Sequence, residues 1–145
     1  MGLDMYLNKK HLLKPDNKGT IEINSYNSNY VNTTMKVDLS NVTEVTERVG
    51  YWRKANQIHN WFVEQVQGGV DDCKEYQVSY EQLMKLKEVC LKAIETKNYR
   101  LLPPTAGFFF GSTDIDEYYW NDLKDTVEML SSLKPDGFYY YQSSW

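Results

Sequence analysis

The side chains that could do acid–base, nucleophilic or metal chemistry in this chain are few: two histidines, two cysteines and scattered carboxylates. His59 comes first. It sits in Gly50-Tyr-Trp-Arg-Lys-Ala-Asn-Gln-Ile-His-Asn-Trp-Phe-Val-Glu-Gln-Val66. On a helix it falls between an apolar stripe and a face bearing Trp52, Asn56 and Val63. Asn56, three residues away, is its neighbour, with Arg53 and Asn60 on the adjoining face. A histidine so placed can act as an acid–base group or as a ring donor to a ligand. It can equally be a half-buried ring hydrogen-bonded to a neighbour. His11 lies near a turn and is expected in solvent.

Asp71 and Asp72, in Asp71-Asp72-Cys73, could serve His59 or take a cation. Adjacent carboxylates point different ways, however, and no spaced oxygen ligands follow as they do in an EF-hand. A Cys/His set for zinc is missing from the sequence, so neither metal nor cofactor is expected. Gly107-Phe-Phe-Phe-Gly-Ser-Thr113 leads into a helix start, where backbone N–H groups can receive an anion. Asp114, Asp116 and Glu117 right behind it oppose that use, and the phosphate-loop and dinucleotide fingerprints are absent. The sequence also lacks a nucleophile elbow, a kinase signature set and an HExxH motif.

What remains is aromatic. Trp52, Trp61, Trp120 and Trp145, with Arg53, Asn56 and His59, could converge into a stacking pocket suited to a nucleobase. They would suit a protein interface as well, and tryptophans also serve as plain core anchors. The candidate ligand- or partner-binding set is therefore Trp52, Arg53, Asn56, His59, Asp71, Asp72 and Trp145. The sharpest form of the expectation is that Trp52, Asn56 and His59 line a concave surface between the first helix and the C-terminal segment.

The elements that must position these residues follow from periodicity. Leu3, Met5 and Leu7 alternate with polar neighbours, which predicts a strand with one buried face. Lys14-Pro-Asp-Asn-Lys-Gly19 is turn chemistry. Strands are expected at 20–25, 35–39 and 43–51, the last preceded by a short helical turn near 42, with an exposed loop from Asn24 to Thr34. A helix is expected over 52–67, with Ala55, Ile58, Phe62 and Val66 on one face and Gly68-Gly69 as its stop. Ser79 and Gln82 form a capping-box pattern ahead of a helix over 80–96, whose stripe is Leu83, Leu86, Cys90 and Ala93. Gly107–Gly111 reads as a buried strand or a tightly packed loop. A third helix is expected over 115–133, capped by Ser112, Thr113 or Asp114. Residues 138–145 read as a terminal strand, Tyr139 and Tyr141 pointing opposite to Phe138 and Tyr140. With five aromatics in eight residues, that strand is expected to insert into the sheet. Strands at both ends with helices grouped between them give an α+β fold, a mostly antiparallel sheet with about three helices on one face.

Length bounds the rest. At 145 residues the chain is expected to form one α+β domain spanning 1–145, able to bury a core without disulfides or metal. A net charge of −4 without a long basic run argues against non-specific nucleic-acid binding driven by phosphate neutralisation. Cys73 and Cys90, seventeen apart, fit a reduced, intracellular protein; the sequons at Asn32 and Asn41 are then silent. Neither a membrane span nor a signal-peptide layout is visible. Aromatic content of 14%, with twelve tyrosines, is high enough that exposed rings would be compatible with a homodimer.

The motifs Gly2-Leu-Asp-Met-Tyr-Leu7, Gly50-Tyr-Trp-Arg-Lys-Ala-Asn56 with Ile58-His59 and Trp61-Phe62-Val63, Asp71-Asp72-Cys73, Gly107-Phe-Phe-Phe-Gly-Ser112 and Tyr141-Gln-Ser-Ser-Trp145 are specific in combination. The chain resembles a family of small uncharacterised proteins of bacteriophage and prophage genomes. The resemblance spans nearly the whole chain and is weaker over 8–49. It implies a phage accessory protein made in the host bacterial cytoplasm, and carries over no catalytic residue. The expected function is a non-enzymatic binding protein that inhibits a host defence, either by binding a host protein or by sequestering a nucleotide-like ligand. The alternatives are a small nucleotide- or nucleic-acid-acting enzyme using His59 with a nearby Asp, and a virion structural or assembly component.

Overall fold

The computed structural model of the protein describes residues 2–145. Its elements, in chain order, are β1 (Asp4–Leu12), β2 (Thr20–Tyr26), β3 (Asn32–Asp38), β4 (Glu44–Arg53), α1 (Asn56–Gln65), β5 (Tyr76–Val78), α2 (Tyr80–Thr96), α3 (Glu117–Ser131) and β6 (Phe138–Ser144). Short 3-10 turns lie at Leu39–Asn41 and Tyr99–Leu101. The fold is α+β, with mostly antiparallel sheets. Four strands form one sheet in the order β4-β1-β6-β5, and β2 and β3 form a separate hairpin. The chain divides into two compact units, one comprising the residues up to Lys9 with Glu47–Trp145, the other Lys10–Thr46.

The larger unit holds the core. The strand alternation buries Leu3, Met5 and Leu7 on the same side as Tyr139 and Tyr141, against Ile58 and Phe62 of α1, Leu83, Leu86 and Cys90 of α2, and Leu123 and Leu130 of α3. β6 lies between β1 and β5, so the C-terminal strand is central to its sheet. Its pairing with β5 is antiparallel, Tyr76 opposite Tyr141 and Val78 opposite Tyr139. Phe62 and the Tyr141 ring stack at 3.8 Å, which ties α1 to the middle of the sheet. At Gly50 a Cβ would meet the Met129 sulfur at 2.5 Å and Leu7 Cβ at 3.1 Å, so the glycine lets β4 approach α3 without displacing the Met129 side chain. Helix α2 is held at its start by the Ser79 capping box and ends on Lys97 in the left-handed conformation.

In the smaller unit, β2 and β3 pair from Thr20↔Asp38 to Tyr26↔Asn32. Ile21, Ile23, Met35 and Val37 fall on one face by this register, and the Glu22↔Lys36 pair on the other. Asn27 closes the tip by accepting from the N–H groups of Asn29 and Val31.

Three expectations are corrected. The stretch Asn24–Thr34 is not one loop: residues 24–26 and 32–34 are paired strand, leaving only the tip unpaired. Apolar alternation stops there because both ribbon faces meet solvent, so polarity concealed a strand. The first helix starts at Asn56 rather than Trp52, because β4 continues through Arg53 and Lys54 then turns into the left-handed region at φ 56°. Helix α3 is capped by Asp116, whose side chain accepts from the Tyr119 N–H, and not by the three residues expected to cap it.

Candidate functional site

Helix α1 begins two residues after the Lys54 turn, so Trp52 belongs to a strand and points inward. Its indole N–H donates to Thr126 Oγ1 at 2.8 Å, and its ring meets Phe62 edge-on at 5.8 Å. Thr126 donates in turn to the Asp122 carbonyl oxygen at 2.6 Å. Trp52 thereby locks β4 to α3 as a core anchor.

Asn56, on the first turn of α1, is bonded through both its amide nitrogen and its oxygen. Its amide NH2 donates to the carbonyl oxygens of Phe110 at 3.0 Å and Ser112 at 2.9 Å, while its own oxygen accepts from the Thr105 N–H at 2.8 Å. One buried side chain therefore holds both ends of the segment 105–112, with both amide N–H groups donated and its oxygen accepting one bond. The segment is held again just ahead of β1, where the Leu3 N–H donates to the Phe109 oxygen at 2.9 Å.

His59, one turn along, is also spoken for. Nδ1 lies 2.6 Å from the Tyr141 hydroxyl and Nε2 lies 2.9 Å from Asp71 Oδ2. A carboxylate accepts only, so Nε2 carries the proton and Nδ1 accepts from the tyrosine. Burial, then the proximity of Asp71 and Cys73, raises the Tyr141 hydroxyl well above its ordinary value and keeps it a donor. The other Asp71 oxygen accepts from the Trp145 indole N–H at 3.1 Å, which fastens the last residue to the 70–73 loop. Asp72 points elsewhere: it accepts from the Tyr76 hydroxyl at 3.0 Å and the Lys74 N–H at 3.2 Å, stapling its own loop. Arg53 faces away from the core and donates to Asp4 at 2.9 Å.

Trp52, Asn56 and His59 are 4%, 2% and 1% exposed, so they do not form the expected open concave surface. The physical reason is the shortened helix, which removes Trp52 from the face of Asn56 and His59. What Asn56, His59 and Trp145 share is Phe110. Its ring meets the imidazole edge-on at 5.2 Å and the Trp145 ring at 6.0 Å, and its carbonyl is held by Asn56. The ring also folds back on Gly107, where a Cβ would meet it at 2.6 Å. The Phe110 N–H donates to the Gly107 oxygen at 3.1 Å, closing a tight turn. Phe108, at the apex of that turn, is 95% exposed. The expected set thus assembles mostly as a mount for a loop.

Beside the mount lies a cleft of 260 Å³, lined among others by Lys54, Asn56, Gln57, Ser112, Tyr118 and Asp122. Of the seven candidate residues only Arg53 and Asn56 reach it. Gln57 spans its floor, donating to the Tyr119 oxygen and to Asp122 Oδ2, each at 3.3 Å. Burial, reinforced by Asp125 and Asp116 and partly offset by the Gln57 amide, pushes the Asp122 carboxyl up to about 6. Among the described residues no group of three or more His, Cys, Asp or Glu is placed to hold a metal ion. Cys90 is pushed up to about 12 by burial, so its thiol is packing rather than chemistry.

Phe108, Lys54 and Asp122 were missed by sequence reasoning. Asp122 carried a readable signal, an acid directly beside the Tyr119, Leu123, Val127 and Leu130 stripe. Phe108 carried a weaker one, since three successive rings between glycines cannot all face inward. Nothing in the sequence marked Lys54 as the turn. No helix among the described residues is long and apolar enough to cross a membrane. The chain matches no protein-family model, no curated protein and no solved structure.

Proposed function

We propose that the chain is a non-enzymatic binding protein that docks on a partner protein through the Gly107–Gly111 turn. One observation carries this reading: Phe108 stands 95% exposed on a turn anchored by the Asn56 side chain and the Leu3 backbone. A ring on a fixed turn loses little freedom on docking. Interface energy concentrates in such aromatic anchors when they enter a partner's pocket. With the resemblance to phage and prophage proteins, the partner is a host bacterial protein, met in the cytoplasm, and the consequence is inhibition of a host defence. Capture from bacterial lysate with the wild type and with Phe108→Ser tests this. A host protein retained by the wild type and lost from the variant, at equal melting temperature, is the expected result. Indistinguishable capture by the two would count against it.

A small enzyme built on His59 and Asp71 has one observation in its favour, their 2.9 Å contact. Against it stand the burial of the ring and the engagement of its second nitrogen by Tyr141. A general acid–base group needs a free path to the proton it moves.

A further inference from the structure

The sheet face turned away from the helices carries a second, separate feature. β1 buries Met5 and Leu7, which leaves Tyr6 on the other side; β6 buries Tyr139 and Tyr141, which leaves Tyr140; β4 buries Trp52, which leaves Tyr51 and Arg53. Because the strand order is β4-β1-β6, three tyrosines fall on three neighbouring strands of one face. The Tyr6 and Tyr51 rings lie 5.6 Å apart, and the Arg48 guanidinium rests 4.3 Å above the Tyr6 ring. The Tyr51 hydroxyl and Arg53 both bond Asp4, so the rings and cations are held in place. Arg48 and Arg53 against Asp4 leave this face one positive charge (2 − 1), on a chain whose net charge is −4.

We propose that this face binds single-stranded nucleic acid, bases stacking on the tyrosines and on the guanidinium over Tyr6, with Arg48 and Arg53 meeting phosphates. Aromatic rings and arginine planes on a sheet face are surfaces on which unpaired bases stack. A duplex hides its base faces, and its binding rests on phosphate neutralisation that an acidic chain supplies poorly. A protein partner fits less well. From Asp4 to Asn8, Tyr51 to Arg53 and Tyr140 to Gln142, the outward positions hold no aliphatic side chain with which to build an apolar interface centre.

The test is fluorescence anisotropy with fluorescein-labelled dT8, U8 and a duplex of equal length. Either octamer binding, with the duplex weaker, is the expected result; preference for U8 would place a 2′-hydroxyl contact on the same face. Tyr6→Ala and Tyr140→Ala should each weaken octamer binding at least ~5-fold, whereas Tyr6→Phe should bind as the wild type. The slope of log affinity against log salt should be about −1.4 for two phosphates and fall to about −0.7 in Arg48→Ala. Melting curves accompany each variant; should Tyr6→Ala not fold, Tyr140→Ala and the Arg48→Ala slope decide. Phe108→Ser should bind the octamer unchanged, which separates this proposal from docking through the turn. An absence of anisotropy change with both octamers, duplex binding as tight as single-strand binding, or tyrosine variants indistinguishable from wild type would overturn it.

Discussion

Replacing His59 by alanine removes one buried and one part-buried hydrogen bond at once and strands the Tyr141 hydroxyl inside the core. The expected cost is about 3 kcal/mol, a fall of roughly 6–12 °C in Tm. Calorimetry checks it; an unchanged Tm would return His59 to the list of free functional groups. Asp122 gives a pH-dependent counterpart. Its folded value, about 6, lies above the ordinary 3.8, so the folded state binds the proton more tightly. The Asp122 contribution to stability is then greatest below about pH 4, declines as pH rises towards 6, and levels off above it. Asp122→Asn should flatten that decline and raise Tm at pH 7, the difference being on the order of 2 kcal/mol. A wild-type stability that rises from pH 4 to 6 in step with the variant would contradict the assignment. At this scale the sequence revealed half of each pair. That Asn56 and His59 are helical neighbours follows from their spacing, but Tyr141 and Phe110 reach them only through tertiary packing, which spacing does not encode.

The strand and helix elements were legible wherever one face is buried. Leu3, Met5 and Leu7, the Ser79–Gln82 box and the alternation across Phe138–Tyr141 each had one physical solution, and each element stands where the pattern put it. Legibility failed where local chemistry was silent. Lys54 has no residue-type signal for positive φ, so the boundary between β4 and α1 was misplaced, and with it the face assigned to Trp52. The hairpin arms next to Asn27 are polar on both sides and read as loop. The Gly107–Gly111 turn carries the prediction for this scale. Gly107→Ala places a Cβ 2.6 Å from the Phe110 ring, which must leave its edge contacts with His59 and Trp145. The expected loss is about 1–3 kcal/mol, accompanied by weaker partner capture even though Phe108 is intact. Capture equal to wild type would mean that the ring needs no mount.

For the molecule as a whole, the residues that looked most chemical are those that the core consumes. Trp52 bonds Thr126 and fixes β4 to α3, whereas Asn56, His59, Asp71 and Trp145 satisfy one another or the backbone, and through Asn56 and the Phe110 ring they hold the turn bearing Phe108. What sets Phe108 apart is that the turn presenting this 95% exposed ring is itself held by Asn56 and Leu3, which is the basis for assigning it as the docking anchor. Placing a photo-crosslinking phenylalanine analogue at position 108, with Leu91 on the exposed side of α2 as the control position, tests that claim in living bacteria. Light should yield one discrete adduct of the chain with a host protein from position 108 and none from position 91. No adduct from 108, or the same adducts from both positions, would contradict docking through the turn.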